Sequence, residues 1–201
     1  MQTHITNVLD RSTVGIAGLG GLGSIVAAAL ARAGVGTLII ADFDNVEQSN
    51  LNRQHYFSDQ LGRSKVDATT ENLKRINPAL NIVARRLELT PADIPQLFAD
   101  ADVIAECFDK AEAKQMIVET VLSSMEKPVI VSANGLAGYG KSNAIKTKRV
   151  SKRLVVVGDG KSGIDTNNLL AAPRVWLAAC HQANAIIELL VDEINASPKR
   201  I

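Results

Sequence analysis

The stretch that most restricts what this chain can fold into is Gly18-Leu19-Gly20-Gly21-Leu22-Gly23, set between the β-branched apolar run Thr13–Ala17 and an alanine-rich run at residues 24–32. In a G-x-G-x-x-G turn the missing side chains permit a tight bend, close approach of a phosphate to backbone amides, and close packing of helix on strand. The spacing therefore predicts strand, turn and helix in that order, with the helix amides and dipole facing an anion. Ala33-Gly34 ends the helix, and residues 37–41 read as a second buried strand. Asp42 stands at its end, near the spacing at which a carboxylate accepts hydrogen bonds from ribose hydroxyls. On these residues alone the site suits a nucleotide, a nicotinamide dinucleotide included.

Composition agrees with a sheet buried on both faces. Of 201 residues 46% are hydrophobic but only 3% aromatic, so the core is expected to be Ala, Val, Ile and Leu, as in parallel strands covered by helices. Further strands are predicted at residues 81–89, 102–107 and 128–133, alternating with helices at 64–76, 92–99, 110–125 and 174–194. Residues 142–147 and 154–157 read as two more strands joined at 151–152. The expectation is one α/β domain over residues 1–201, a Rossmann-like and mainly parallel sheet with helices on both faces and antiparallel strands added in the C-terminal half. The first twelve residues read as a polar lead or a helical turn.

Several function classes lose support at this level. Twenty-two basic against 21 acidic residues make no field suited to nucleic acid or an anionic membrane. Cys107 and Cys180 form no Cys-x-x-Cys pair, so neither a disulfide framework nor a structural zinc site is expected. No apolar run approaches the roughly 18 residues of a membrane span, and a soluble, cytoplasmic protein is expected.

The segment after the second strand is dense in hydrogen-bonding side chains: Asp44, Glu47, Asn50, Asn52, Arg53 and Gln54. Beside a nucleotide turn they suit contacts to phosphates and a purine, with Arg53 able to grip a phosphate through two N–H groups. Lys65 follows, either facing the site or on the surface of its helix. Asp109 lies just past the fourth strand, where open α/β sheets place ligands, although by itself it better suits the cap of the next helix. Residues 135–142 match G-x-x-x-x-G-K-S/T, but residues 143–150 lack a helical apolar stripe, so the match is not read as a P-loop. Trp176 is read as a packing residue. Cys180 and His181, adjacent on one helix, project about 100° apart and make no nucleophile–base pair.

Taken together, GLGGLG, DFD, SNLNRQ, and Gly62 with Lys65 in QLGRSKV resemble the adenylating domain shared by ThiF, MoeB and the ubiquitin-activating enzymes, over about residues 14–190. Within that superfamily the chain is similar to the short form of ThiF, which adenylates the sulfur carrier ThiS in thiamine biosynthesis. The resemblance implies ATP and Mg²⁺ as cofactors, held by Gly18, Gly20, Gly21, Gly23 and Asp44. It gives Asp42 the ribose, Asn50, Arg53 and Lys65 the phosphates, Gln54 a role supporting the loop, and Asp109 the metal. Arg53, Lys65 and Asp109 are thus the expected catalytic residues. Lys110 and Lys114 stand where many relatives have Asn and Arg. The polar loop at residues 158–168 lacks the transferring cysteine of some relatives, so any acceptor thiol belongs to another protein. A homodimer is implied, and Arg11 is the one arginine before the first strand that could act in the partner's site. A nicotinamide-dependent oxidoreductase and a non-catalytic nucleotide-dependent carrier-binding module remain the alternatives.

Overall fold

Strands β1 (Thr13–Ala17), β2 (Thr37–Asp42), β3 (Asn81–Arg86), β4 (Val103–Glu106), β5 (Val129–Ala133), β6 (Lys146–Ser151) and β7 (Leu154–Gly158) form one sheet in the order β3-β2-β1-β4-β5-β7-β6. The computed structural model describes residues 2–163 and 170–196. Every neighbouring pair is parallel except β6 with β7. The α-helices among the described residues are α1 (Gln2–Arg11), α2 (Gly23–Ala33), α3 (Lys65–Ile76), α4 (Asp93–Leu97), α5 (Ala111–Ser124) and α6 (Ala172–Ala196). The expected Rossmann-like α/β architecture is therefore present.

Alternation along the strands divides the apolar residues between two layers, because successive side chains point to opposite faces. Val14, Ile16, Leu38 and Ile40 join α2 and α6 in one cluster, to which Leu9 of α1 and Leu73 of α3 also belong. Ile39, Ile104 and Ile130 join Ile94 and Phe98 near α4 and Ile117 and Val121 of α5 in the other. With both faces covered, the central strands carry no polar side that would betray their period.

Some boundaries differ from those read in the sequence. Residues 2–11 are a full helix rather than a lead, because Val8 and Leu9, each 5% exposed, pack inward and α1 lies against α6. That partner is distant in the chain, so nothing local announces it. Strand β3 stops at Arg86, and α4 is shorter than residues 92–99. Residues 142–144 make a single 3₁₀ turn, so β6 starts at Lys146. That turn and then β6 follow Lys141, with no α-helix between them, so residues 135–142 lack the helix that a P-loop opens. The order reverses between β2-β1 and β4-β5, which opens a crevice at the carboxyl ends of β1 and β4, where open sheets bind ligands.

Candidate functional site

The glycine turn leads from β1 into α2 with Gly18 at φ +90°. A Cβ on Gly23 would lie 1.8 Å from the Gly18 carbonyl oxygen, so only glycine lets the helix begin this close to the strand. Asp42 holds the turn from below. Its carboxylate accepts the Leu19 amide at 2.6 Å and the Asp44 amide at 2.8 Å. Burial pushes the Asp42 pKa up, while the Lys65 charge and these two amides oppose the rise. The Tyr56 hydroxyl donates to the Leu19 carbonyl at 2.8 Å, adding a second brace.

Above the turn lies a cavity of about 840 Å³, lined by Gly18, Gly20, Gly21, Asp42, Asp44, Arg53, Gln54, Lys65 and Asp109 among others. Residues as far apart as 18 and 109 thus meet because β1, β2 and β4 are neighbours. Lys65 follows the Ser64 cap of α3, is buried, and places its Nζ 2.7 Å from the Asp44 carboxylate. Arg53 donates from Nη1 to the Ser49 carbonyl at 2.9 Å and to Asn52 Oδ1 at 2.8 Å, which anchors one edge of the guanidinium and leaves its other N–H groups for a ligand. Gln54 is 6% exposed, and its Oε1 has no hydrogen-bond partner among the described residues. Asn50 does not reach the cavity wall. It caps the turn at Gln48–Asn50 instead, its Oδ1 accepting the Glu47 amide at 3.1 Å.

Asp109 is exposed at the cavity mouth, and its carboxylate makes no hydrogen bond or ion pair among the described residues. The cap of α5 is Lys110, so Asp109 is left free of the capping role. No three His, Cys, Asp or Glu side chains gather as a metal cluster among the described residues. A magnesium ion would therefore take Asp109 as a protein ligand and complete its shell with phosphates and water, a usual arrangement for this cation. The residues fit that ion.

Four side chains important to the site were not picked out as such in the sequence. Glu106 at the end of β4 is fully buried and pairs with Lys114 at 3.0 Å, so Lys114 sits on a carboxylate. Ser132 of β5 donates to the same carboxylate at 2.6 Å. Gln182 of α6, also fully buried, donates to the Glu106 and Val131 carbonyls at 2.9 and 2.7 Å. Cys107 is a buried free thiol, and burial, then the Glu106 charge, push its pKa up. Arg174 of α6 donates to the Ala137 and Gly140 carbonyls at 2.9 and 2.8 Å and to Asp159 at 2.6 Å, tying two loops of the cavity wall to one helix. A charged residue in an otherwise apolar strand, such as Glu106, was the one sequence signal available. The loop at 158–168 lies partly outside the described residues, as does the tail after Ala196.

Burial raises the Asp159 pKa, but hydrogen bonds from Ser162 and Lys161 and the Arg174 charge outweigh it and hold the group at about 2. Because the folded value lies below the ordinary 3.8, the anion stabilises the fold above that pH and the contribution is lost as pH falls from 3.8 to about 2. Asp159→Asn should flatten that part of a stability-against-pH curve; an unchanged acid limb would contradict the assignment.

Trp176 is not a packing residue. It is 41% exposed, and its Nε1 donates to the Arg53 carbonyl at 2.7 Å, joining α6 to the arginine loop. It is also the sole tryptophan. ATP should therefore change the emission of Trp176, and Trp176→Phe should cost about 1 kcal/mol of stability. Tight ATP binding with silent emission would separate Arg53 from the nucleotide.

Comparison with known proteins identifies the family and the fold. The sequence pattern described as the ThiF family matches residues 2–200. Over 134 residues the chain is 41% identical to an adenylyltransferase and sulfurtransferase uba4 of Aspergillus clavatus, covering 66% of this chain and 27% of that protein. It is 36% identical over 145 residues to a ubiquitin-like modifier-activating enzyme 5 of Bombyx mori, covering 65% and 37%. The chain thus spans only about a quarter to a third of these relatives' length. Among solved structures, E. coli tRNA N6-threonylcarbamoyladenosine dehydratase TcdA in complex with AMP superposes with a TM-score of 0.86 over 96% of this chain and 92% of that one, at 17% identity. E. coli MccB with AMPCPP and MccA superposes with a TM-score of 0.73 over 94% and 59%, at 22% identity. At these identities the two structures speak for the fold.

Proposed function

The chain belongs to the ThiF family, and from that premise we propose that it is an adenylyltransferase that activates the C-terminal carboxylate of a small ubiquitin-like sulfur carrier of the ThiS type, with ATP and Mg²⁺, in thiamine biosynthesis. The observation that carries this reading is the meeting of Arg53, Lys65 and Asp109 around one cavity above the glycine turn. The likeness to the two relatives, an adenylyltransferase and sulfurtransferase and a ubiquitin-like modifier-activating enzyme, supports the same chemistry.

In the proposed reaction a carboxylate oxygen of the carrier attacks the α-phosphorus of ATP, the bond to the bridging oxygen breaks, and pyrophosphate leaves with the electron pair. The products are an acyl adenylate and pyrophosphate. The nucleophile is already ionised, so no general base is needed, and positioning with charge stabilisation supplies the rate. Asp42 receives the ribose while its backbone partners keep the turn in place. The free N–H groups of Arg53 and the ammonium of Lys65 meet the negative charge that grows on the leaving pyrophosphate. Lys65 lets phosphate share the place of Asp44. Gln54, whose buried Oε1 has no partner among the described residues, accepts a hydrogen bond from the bound substrates or their water. Asp109 would hold Mg²⁺, which supplies Lewis-acid neutralisation of the phosphate oxygens. A homodimer is part of the proposal, with Arg11 exposed at the end of α1.

The test is to mix the protein with candidate carriers, ATP and Mg²⁺ and weigh the carrier. A mass increase equal to AMP is expected. A non-catalytic module would bind ATP and carrier without that increase, and thermal stabilisation by NAD but not ATP would favour an oxidoreductase.

A further inference from the structure

We propose that Lys114 is a positioning residue, forming with Glu106 and Ser132 a buried clamp that sets the Phe108–Asp109 turn against the glycine loop. The inference rests on the reading of Asp109 as the metal-holding carboxylate. Glu106 is fully buried and its acceptor sites are filled. Oε1 takes the Phe108 amide at 2.7 Å and Lys114 Nζ at 3.0 Å, while Oε2 takes Lys114 Nζ at 3.1 Å and Ser132 Oγ at 2.6 Å. Those four bonds match the capacity of an ionised carboxylate.

This arrangement decides between two roles for Lys114. Its ammonium lies between both oxygens of a carboxylate with no solvent access, and only 23% of its side chain is exposed. Moving it to a phosphate would strand the Glu106 charge in the interior, which is strongly unfavourable. Lys65 differs, since its partner Asp44 has a side chain 47% exposed that water can satisfy when a phosphate arrives. Lys65 is thus free to serve a ligand, and Lys114 is held.

The clamp reaches the reacting end of the cavity in two ways. Accepting the Phe108 amide fixes the chain one residue before Asp109. The Phe108 ring lies against Gly18, with Cδ1 3.2 Å from where a Cβ on that glycine would stand, so the same bond holds the ring on the glycine turn. Gln182 fixes the Glu106 carbonyl from the other side at 2.9 Å. Asp109 itself has no partner among the described residues, so its direction depends on the chain before it.

The test compares the wild type with Glu106→Gln/Lys114→Met, which removes both charges together, and with Lys114→Arg and Ser132→Ala. Calorimetry would measure ATP affinity in EDTA and then against rising Mg²⁺. The double variant should bind metal-free ATP as the wild type does but need about 10–100-fold more Mg²⁺ for the metal-dependent gain. Lys114→Arg, which can make the same two bonds, should stay close to wild type. Ser132→Ala should shift the Mg²⁺ requirement in the same direction as the double variant, and it carries the test if the double variant does not fold. Loss of metal-free ATP affinity with an unchanged Mg²⁺ requirement would make Lys114 a phosphate ligand and overturn the proposal. A lowered Tm with both affinities intact would also overturn it, leaving an ordinary structural ion pair. Failure of the wild type to bind ATP would strike the proposed function itself, and is seen before any variant is compared.

Discussion

Arg53→Ala is expected to lower carrier-dependent exchange of labelled pyrophosphate into ATP by about 10²–10³-fold, the usual cost of removing one preorganised group from developing charge. The reason is geometric. Nη1 is anchored on the Ser49 carbonyl and Asn52 Oδ1, so the guanidinium is already placed before ATP arrives and need not be ordered during the reaction. Stability should change little, because the side chain is only half-buried and pairs with groups that water can replace. Arg53→Lys keeps the charge but loses the planar fork and should recover only part of the rate. Exchange at the wild-type rate in Arg53→Ala would remove Arg53 from the chemistry.

Gly23→Ala is expected to damage both the fold and nucleotide binding. The added methyl group would stand 1.8 Å from the Gly18 oxygen, so the start of α2 must move away from β1. Overpacking of this kind costs about 1–3 kcal/mol. The displacement would also pull the helix amides from the position a phosphate needs. Gly20→Ala is the matched control, since the nearest atom to its Cβ would be Gln54 Nε2 at 3.8 Å. It should fold with nearly the wild-type Tm yet bind ATP less well, because the methyl would narrow the approach to the turn. Thermal melts with and without ATP check both variants. Equal melts for Gly23→Ala and the wild type would contradict the turn geometry.

Legibility in the sequence followed distance along the chain. The glycine turn and the strand–helix alternation were readable because each depends on neighbours within a few residues. Lys65 could be suggested but not placed, since its contact with Asp44 spans 21 positions. Asn50 was expected on phosphate from its neighbours in the chain, and the bond that engages its Oδ1, the Glu47 amide at 3.1 Å, is a local cap that the motif did not suggest. Trp176 was expected to pack and instead bonds Arg53 across 123 positions. Helix α1 escaped notice because its two inward residues pack on elements distant in the chain, α6 among them.

The sequence by itself determined the parallel α/β class and the glycine turn, because glycine spacing and apolar runs act through local geometry, while the kind of chemistry was implied by the resemblance that SNLNRQ and QLGRSKV carry. Only the tertiary structure decided which cations are free. Lys65 and Lys114 look alike as letters, and both touch carboxylates. One partner is half-exposed and the other has no access to water, and that difference in desolvation is what sets the two ion pairs apart.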